Sequence, residues 1–211
     1  MSTADAVIRV VDDDNGFRTA ICRLLSAAGF RVRSYASAGD YLLGEEDDEA
    51  GCVLLDLRMP GPDGLSLQDA IARRANPLPV VFLTAHGDVE TSVKAMKHGA
   101  EDFLTKPVKR EALLTAIHSA VAKDSNRRAA REVMVDSRRR YEALSPREKA
   151  VLEQVVAGKL NKQIAAAIGA SERTVKAHRA KIMQKMGVSS VAELVRSADR
   201  LSLDKAETLS N

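Results

Sequence analysis

The sequence contains no tryptophan, and aromatic residues fill only 3% of its 211 positions. That is too few rings for nucleic-acid binding by base stacking along an aromatic groove. Cysteine is equally scarce. Cys22 and Cys52 cannot build a disulfide framework or a four-cysteine zinc site. Both fall in apolar patterns and read as small buried hydrophobes. No stretch approaches the ~18 consecutive apolar residues of a membrane span. The opening Met1-Ser2-Thr3-Ala4-Asp5 has neither the basic nor the apolar region of a signal peptide. A cytoplasmic protein without a membrane partner is the expectation.

What is present is a globular composition, 45% hydrophobic and 29% charged, with a net charge of +3. The charge is unevenly spread. Residues 1–123 hold 14 basic and 18 acidic residues, and residues 124–211 hold 18 basic and 11 acidic. An acidic module and a basic one, with different partners, account for such asymmetry.

The first half alternates. Short apolar runs occur at 7–11, 31–34, 52–57, 80–84 and 102–105. Between them lie stripes at helical spacing: Phe17, Ala20, Ile21, Leu24, Leu25 and Ala28; Leu65, Leu67, Ala70 and Ile71; Val89, Val93, Ala95 and Met96; Leu113, Leu114, Ile117 and Val121. Strand and helix in alternation predict an α/β fold with a parallel sheet covered on both faces. Five such units match the flavodoxin-like (βα)5 arrangement, with ligands at the carboxyl ends of the strands.

From 124 to 140 the chain is arginine-rich, with Val133, Met134 and Val135 as its apolar cluster and no Gly or Pro. It reads as a linker, either an extension of the fifth helix or a charged tether. The acidic run 45–49 reads as a solvated helix end and loop. From Ser145 onward the pattern is all-α. Ser145-Pro146-Arg147-Glu148 is a helix start, with Ser as N-cap, Pro in the first turn and Glu three residues on. Asn161 is expected to cap a second helix and Ser171 a third over 172–186. Ser189 or Ser190 opens a fourth that ends near Leu201. Gly169-Ala170-Ser171 is the short glycine-containing connection of a helix-turn-helix.

Polar residues close the strand runs: Asp12, Asp13 and Asp14 after the first, Asp56 after the third, Thr84 after the fourth, Lys106 after the fifth. In a parallel sheet these ends share one edge. Converging carboxylates repel, and a hard divalent cation such as Mg²⁺ relieves the repulsion. A carboxylate nucleophile beside Mg²⁺, a lysine and a hydroxyl suits phosphoryl transfer to an aspartate.

Val11-Asp12-Asp13, Asp56, Leu57-Arg58-Met59-Pro60-Gly61, Thr84-Ala85 and Lys106-Pro107 together resemble the receiver domain of two-component response regulators, over residues 5–123. The resemblance implies that Asp56 accepts a phosphoryl group from a histidine kinase. It implies that Asp12, Asp13, Asp56 and the backbone carbonyl of Arg58 hold Mg²⁺ or Mn²⁺, and that Lys106 contacts the acyl phosphate with Lys106-Pro107 cis. Thr84 and Phe103 would form the switch pair. Val108 departs from the pattern, since relatives often carry Phe there. The histidines at 86, 98 and 118 lack paired spacing and read as surface residues.

In the basic half, Val175, His178, Ile182 and Met186 recur at helical spacing as a core face. Arg173, Lys176, Ala177, Arg179, Ala180 and Lys181 then lie on the other side, suited to base edges and phosphates in a major groove. Lys162, Ser171 and Thr174 suit backbone phosphates. The segment from Leu144-Ser145-Pro146-Arg147-Glu148 through Asn161-Lys162-Gln163-Ile164-Ala165 to Thr174-Val175-Lys176-Ala177-His178 resembles the LuxR/NarL/FixJ type of helix-turn-helix, over residues 141–205. Ala180 stands where many NarL-like relatives carry a lysine, and Arg179-Ala180 brings the helix closer to the FixJ branch.

The two resemblances imply a transcription factor controlled by phosphorylation and not an enzyme beyond its own phosphorylation and dephosphorylation. Its partners would be a histidine kinase, double-stranded promoter DNA, a second copy of the chain and RNA polymerase. Two other readings compete. Hydrolases of the haloacid type need a second Asp two residues after the nucleophile, where this chain has Arg58. A protein-interaction module without DNA is disfavoured by the helix-turn-helix.

Overall fold

A computed structural model describes residues 6–44, 48–85 and 89–208, except for the side chains of Val89 and of 202–208. The chain divides into two compact units, Met1–Arg128 and Ala129–Asn211.

The first unit alternates β1 (Val7–Val11), α1 (Asn15–Ala27), β2 (Arg31–Tyr35), α2 (Ala38–Gly44), β3 (Gly51–Asp56), α3 (Gly64–Ala72), β4 (Val80–Thr84), α4 (Val89–Lys97), β5 (Asp102–Thr105) and α5 (Arg110–Glu142). The five strands are parallel in the order β2-β1-β3-β4-β5. Alternation along each strand divides the core. Ile8, Val10, Leu54 and Leu83 pack with Ile21 and Leu25 of α1 and with Leu113 and Ile117 of α5. Val11, Val53, Leu55 and Phe82 pack with Leu67 and Ile71 of α3 and Ala95 of α4. Each of these side chains larger than alanine contributes about 1.5–3 kcal/mol on burial. That sum makes a sheet buried on both faces sustainable.

The third strand is shifted by one residue from the run at 52–57, and the second extends to Tyr35. Ala20 is exposed rather than on the α1 core stripe. Cys52 is fully buried, and burial pushes its thiol up to about 12. It packs as an inert apolar residue.

The segment 124–140 is helical throughout, because α5 runs unbroken for 33 residues. At its midpoint a polar cluster ties it to the lower edge of the sheet. Buried Asp124 accepts from the Gly51 N–H at 2.9 Å and from Arg128 Nε at 2.8 Å. Arg128 Nη1 reaches the Asp48 carbonyl at 2.8 Å. Arg9, fully buried in β1, donates to the carbonyls of Val7 and Glu49. Glu49 also pairs with Arg31 at 3.0 Å and with Arg33. Asp48 and Glu49 are thus engaged with arginines and are not simply solvated. The rest of that acidic run, 45–47, lies outside the described residues.

The second unit contains α6 (Pro146–Val156), α7 (Asn161–Ile168), α8 (Glu172–Met186) and α9 (Val191–Thr208). Ser145 and Glu148 form the expected capping box. Val151, Leu152, Val155, Ile164, Val175, Ile182, Met186 and Leu194 form the core. His178 is only half-buried. Asn161 is not the cap of α7: Leu160 holds that position, and its N–H is satisfied by the Gln163 side chain at 2.9 Å. The Asn161 carboxamide is engaged elsewhere, accepting from Arg179 Nη1 at 3.0 Å. The helix α9 continues beyond Leu201 to Thr208.

Candidate functional site

Strand register places the polar residues together. Val11 lies beside Leu55, Asp56 beside Leu83, and Thr84 beside Thr105, so the residues that follow β1, end β3 and β4 and follow β5 share one edge. Carboxylate oxygens of Asp12, Asp13 and Asp56 lie within 4.8 Å of one another, the only such group of three ligand-type residues among those described. Asp12 and Asp56 are buried, and Asp13 is exposed.

Among the described residues, one cation enters the cluster. Lys106 Nζ stands 2.6 Å from Asp12 Oδ2 and 3.4 Å from Asp56 Oδ2. The Lys106 N–H donates to the Thr84 carbonyl at 2.8 Å, and Lys106-Pro107 is cis. Burial raises the Asp56 carboxyl above the usual carboxylate range. Lys106 opposes the rise, Asp12 adds to it, and the Leu57 N–H, 2.8 Å from Oδ1, opposes it. Asp14 has a different task. Its carboxylate caps α1, accepting from Gly16 and Phe17 N–H at 2.8 and 3.0 Å, and these bonds hold its pKa below the usual value. Such a cap aligns the first turn of a helix.

The backbone around Asp56 is tightly packed. Gly64 opens α3 with its N–H on the Leu57 carbonyl at 2.9 Å. A Cβ there would stand 2.4 Å from the Asp56 carbonyl oxygen, so only glycine fits. Arg58 is exposed just beyond Asp56. Thr84 is buried, while Phe103 is half-buried with its ring 5.9 Å from that of Phe82.

Two side chains of α1 make contacts not anticipated from the sequence. Lys106 Nζ lies 4.1 Å from the ring centroid of Phe17, a residue assigned only to the core stripe of α1. Arg18 Nη1 donates to the Asp12 carbonyl at 2.6 Å, and Nη2 to Asn15 at 2.9 Å. The available signal was their position in the first turn after the aspartates, where side chains point back toward the strand end. Of the histidines, His98 Nδ1 is 2.9 Å from Asp69, and His118 packs against Phe30. His86 lies outside the described residues.

In the second unit, Ser171 caps α8, accepting from the Thr174 N–H at 3.1 Å. Val175, Ile182 and Met186 are buried, while Arg173, Thr174, Lys176, Ala177, Ala180 and Lys181 are exposed, as is Lys162 on α7. Arg179 is half-buried through its bond to Asn161. The exposed face of α8 is therefore basic and small-sided, a surface that suits a major groove. No helix among the described residues is long and apolar enough to cross a membrane.

Residues 8–118 match the response regulator receiver domain family, and residues 142–198 match the bacterial regulatory proteins of the luxR family. The chain is a response regulator of the FixJ/NarL type. It is 38% identical to nodulation protein W of Bradyrhizobium diazoefficiens over 98% of this chain and 91% of that protein. It is 39% identical to the transcriptional regulatory protein FixJ of the same organism, over 95% and 98%. Among solved structures, that of response regulator StyR matches with a TM-score of 0.84 and 41% identity, covering 93% of this chain and 99% of that one. This response regulator thus joins a flavodoxin-like receiver to a LuxR-type DNA-binding domain and belongs to a family of transcription regulators rather than enzymes.

Proposed function

We propose that this response regulator is switched by phosphorylation of Asp56 by a histidine kinase, and that the phosphorylated form dimerises and binds promoter DNA. The observation that carries the reading is the convergence of Asp12, Asp13 and Asp56 within 4.8 Å, with Lys106 at 3.4 Å from Asp56. An Asp56 carboxylate oxygen attacks the phosphorus of a phosphohistidine. The P–N bond breaks, and the departing imidazole nitrogen takes up a proton.

The donor set fits a hard divalent cation. Among the described residues it offers only oxygen ligands, and one ammonium faces three carboxylates. Asp12, Asp13, Asp56 and the Arg58 carbonyl would hold Mg²⁺ or Mn²⁺. Such an ion neutralises charge on the incoming phosphoryl group. Lys106 orients a phosphoryl oxygen, and Thr84 donates its hydroxyl to another. As Thr84 shifts toward the new anion, Phe103 turns inward from its half-buried position. The phosphoryl group adds about −1.5 to −2 charges and three acceptor oxygens.

Residues 5–123 then act as the phosphoacceptor domain, 124–140 as the linker, and 141–205 as the DNA-binding domain. Exposed Val93 and Met96 on α4 support a dimer face formed by α4, β5 and α5. Arg173, Lys176, Ala177, Arg179, Ala180 and Lys181 form the reading helix, and Lys162, Ser171 and Thr174 contact phosphates. In a dimer, two copies of α8 would enter major grooves about 34–36 Å apart. RNA polymerase is the further partner, and the cytoplasm the compartment.

The test is phosphoryl uptake from a small acyl phosphate with Mg²⁺, read on a phosphate-affinity gel. The wild type is shifted and Asp56→Asn is not. Uptake by the variant at the wild-type level removes Asp56 from this role.

A further inference from the structure

We propose that Phe17 is a positioning residue for Lys106 and, through it, for phosphoryl uptake; this rests on the reading of Asp56 as the phosphoacceptor. Among the described residues, the Lys106 ammonium stands 2.6 Å from Asp12, 3.4 Å from Asp56, and 4.1 Å from the centroid of the Phe17 ring. The last distance is well inside the ~6 Å range of a cation–π contact.

The ring is a different kind of partner from the carboxylates. It attracts the ammonium through its quadrupole and carries no net charge. A third acidic partner would hold Lys106 as well, but it would repel an incoming phosphoryl group and deepen the mutual repulsion of the aspartates. The ring's attraction also tolerates small displacements. Asp12 and Asp56 offer oxygens within 4.8 Å of each other. The ammonium can therefore move from Asp12 toward a group on Asp56 while keeping its contact with the ring.

Lysine needs such a platform because its stem is long and flexible. Without the ring, Lys106 is held at one end by the stronger ion pair with Asp12, the unproductive arrangement.

The platform is itself fixed. The Phe17 N–H is held by the Asp14 cap at 3.0 Å, and the ring packs against the core cluster between the sheet, α1 and α5. Arg18, the next residue, grips the Asp12 carbonyl at 2.6 Å. The first turn of α1 thus sets both the lysine and the aspartate it must leave.

The experiment uses the full chain, with acetyl phosphate and Mg²⁺ as the phosphoryl source. Phe17→Leu keeps apolar bulk and loses the ring, and it is expected to slow uptake roughly 3- to 10-fold. Phe17→Tyr keeps the ring and restores the rate. In a Lys106→Met background, Phe17→Leu adds nothing further. A second readout needs no phosphoryl donor. In protein labelled with ¹³Cε-lysine, ring current shifts the Lys106 Hε resonance upfield in the wild type and Phe17→Tyr, and the shift vanishes in Phe17→Leu. A wild-type rate in Phe17→Leu, an equal slowing in the Lys106→Met background, or an unshifted Lys106 resonance overturns the proposal alone. Uptake by Asp56→Asn overturns the underlying reading and the proposal together.

Discussion

The Asp124 carboxylate, midway along α5, accepts a hydrogen bond from the backbone N–H of Gly51 at 2.9 Å, across 73 positions of sequence. The same oxygen, Oδ2, takes Arg128 Nε at 2.8 Å. One buried carboxylate therefore satisfies the first N–H of β3 and anchors the helix beside it. Asp124→Leu strands both donors and is expected to destabilise the first unit by about 2–4 kcal/mol. Asp124→Asn keeps an acceptor and is expected to cost less. Thermal denaturation of the two variants, together with hydrogen exchange at Gly51, checks the order.

In the second unit, Glu148 carries a pH dependence of defined sign. Lys185 Nζ at 2.7 Å and the Ser145 N–H at 2.8 Å hold its carboxyl down at about 2, against the usual 4.5. A depressed folded-state value means that the stabilisation is complete above about 4.5 and is lost as the pH falls toward 2. Acid denaturation followed by circular dichroism is expected to show this loss, and Glu148→Gln to flatten it. A wild-type acid profile in the variant would count against the bond.

Gly187 ends α8 with φ +65°, and a Cβ there would meet Arg140 Nη1 at 1.5 Å. That guanidinium donates to the Met186 carbonyl at 3.0 Å and pairs with Asp136 at 2.7 Å. Gly187→Ala is expected to cost about 1–2 kcal/mol through the left-handed backbone alone. The clash with Arg140 adds to this. Arg140→Ala removes the clash, so the double variant is expected to be more stable than the sum of the single effects. Thermal denaturation of the four proteins measures the coupling.

On the proposed DNA-binding reading, the basic residues of α7 and α8 differ in expected role. Lys176→Ala is expected to reduce discrimination between target and random DNA. Lys162→Ala is expected to weaken both and to lower the salt slope of binding by about one. Arg179→Ala removes the bond to Asn161, so its expected effect is a loss of thermal stability along with affinity. Titrations at several salt concentrations, on target and random duplexes, separate these outcomes.

Much of the fold was legible because its signals are local. The short apolar runs of the strands, the stripes of α1 and α5, and the Ser145–Glu148 capping box each depend on neighbours within a turn or two. The acidic pocket was legible for a related reason. Its residues sit at strand ends, and a parallel sheet brings strand ends to one edge whatever else it does.

What the sequence determined by itself is the order of the elements and the set of charged groups that meet at Asp56; the buried faces it determined only in part, since Ala20, Val93 and Met96 of the expected stripes are exposed. Tertiary structure alone decided the rest. Asn161 looked like a cap and became an acceptor for Arg179. Phe17 packs against the core as its stripe predicts, and it also brings its ring to Lys106. Asp48 and Glu49 looked solvated and became partners of arginines brought from β1, β2 and α5. In each case the deciding partner lies many residues away. A side chain able to fill two local roles takes the one that satisfies a distant buried or charged group, because an unpaired donor or charge costs more than a helix cap or an exposed carboxylate gains.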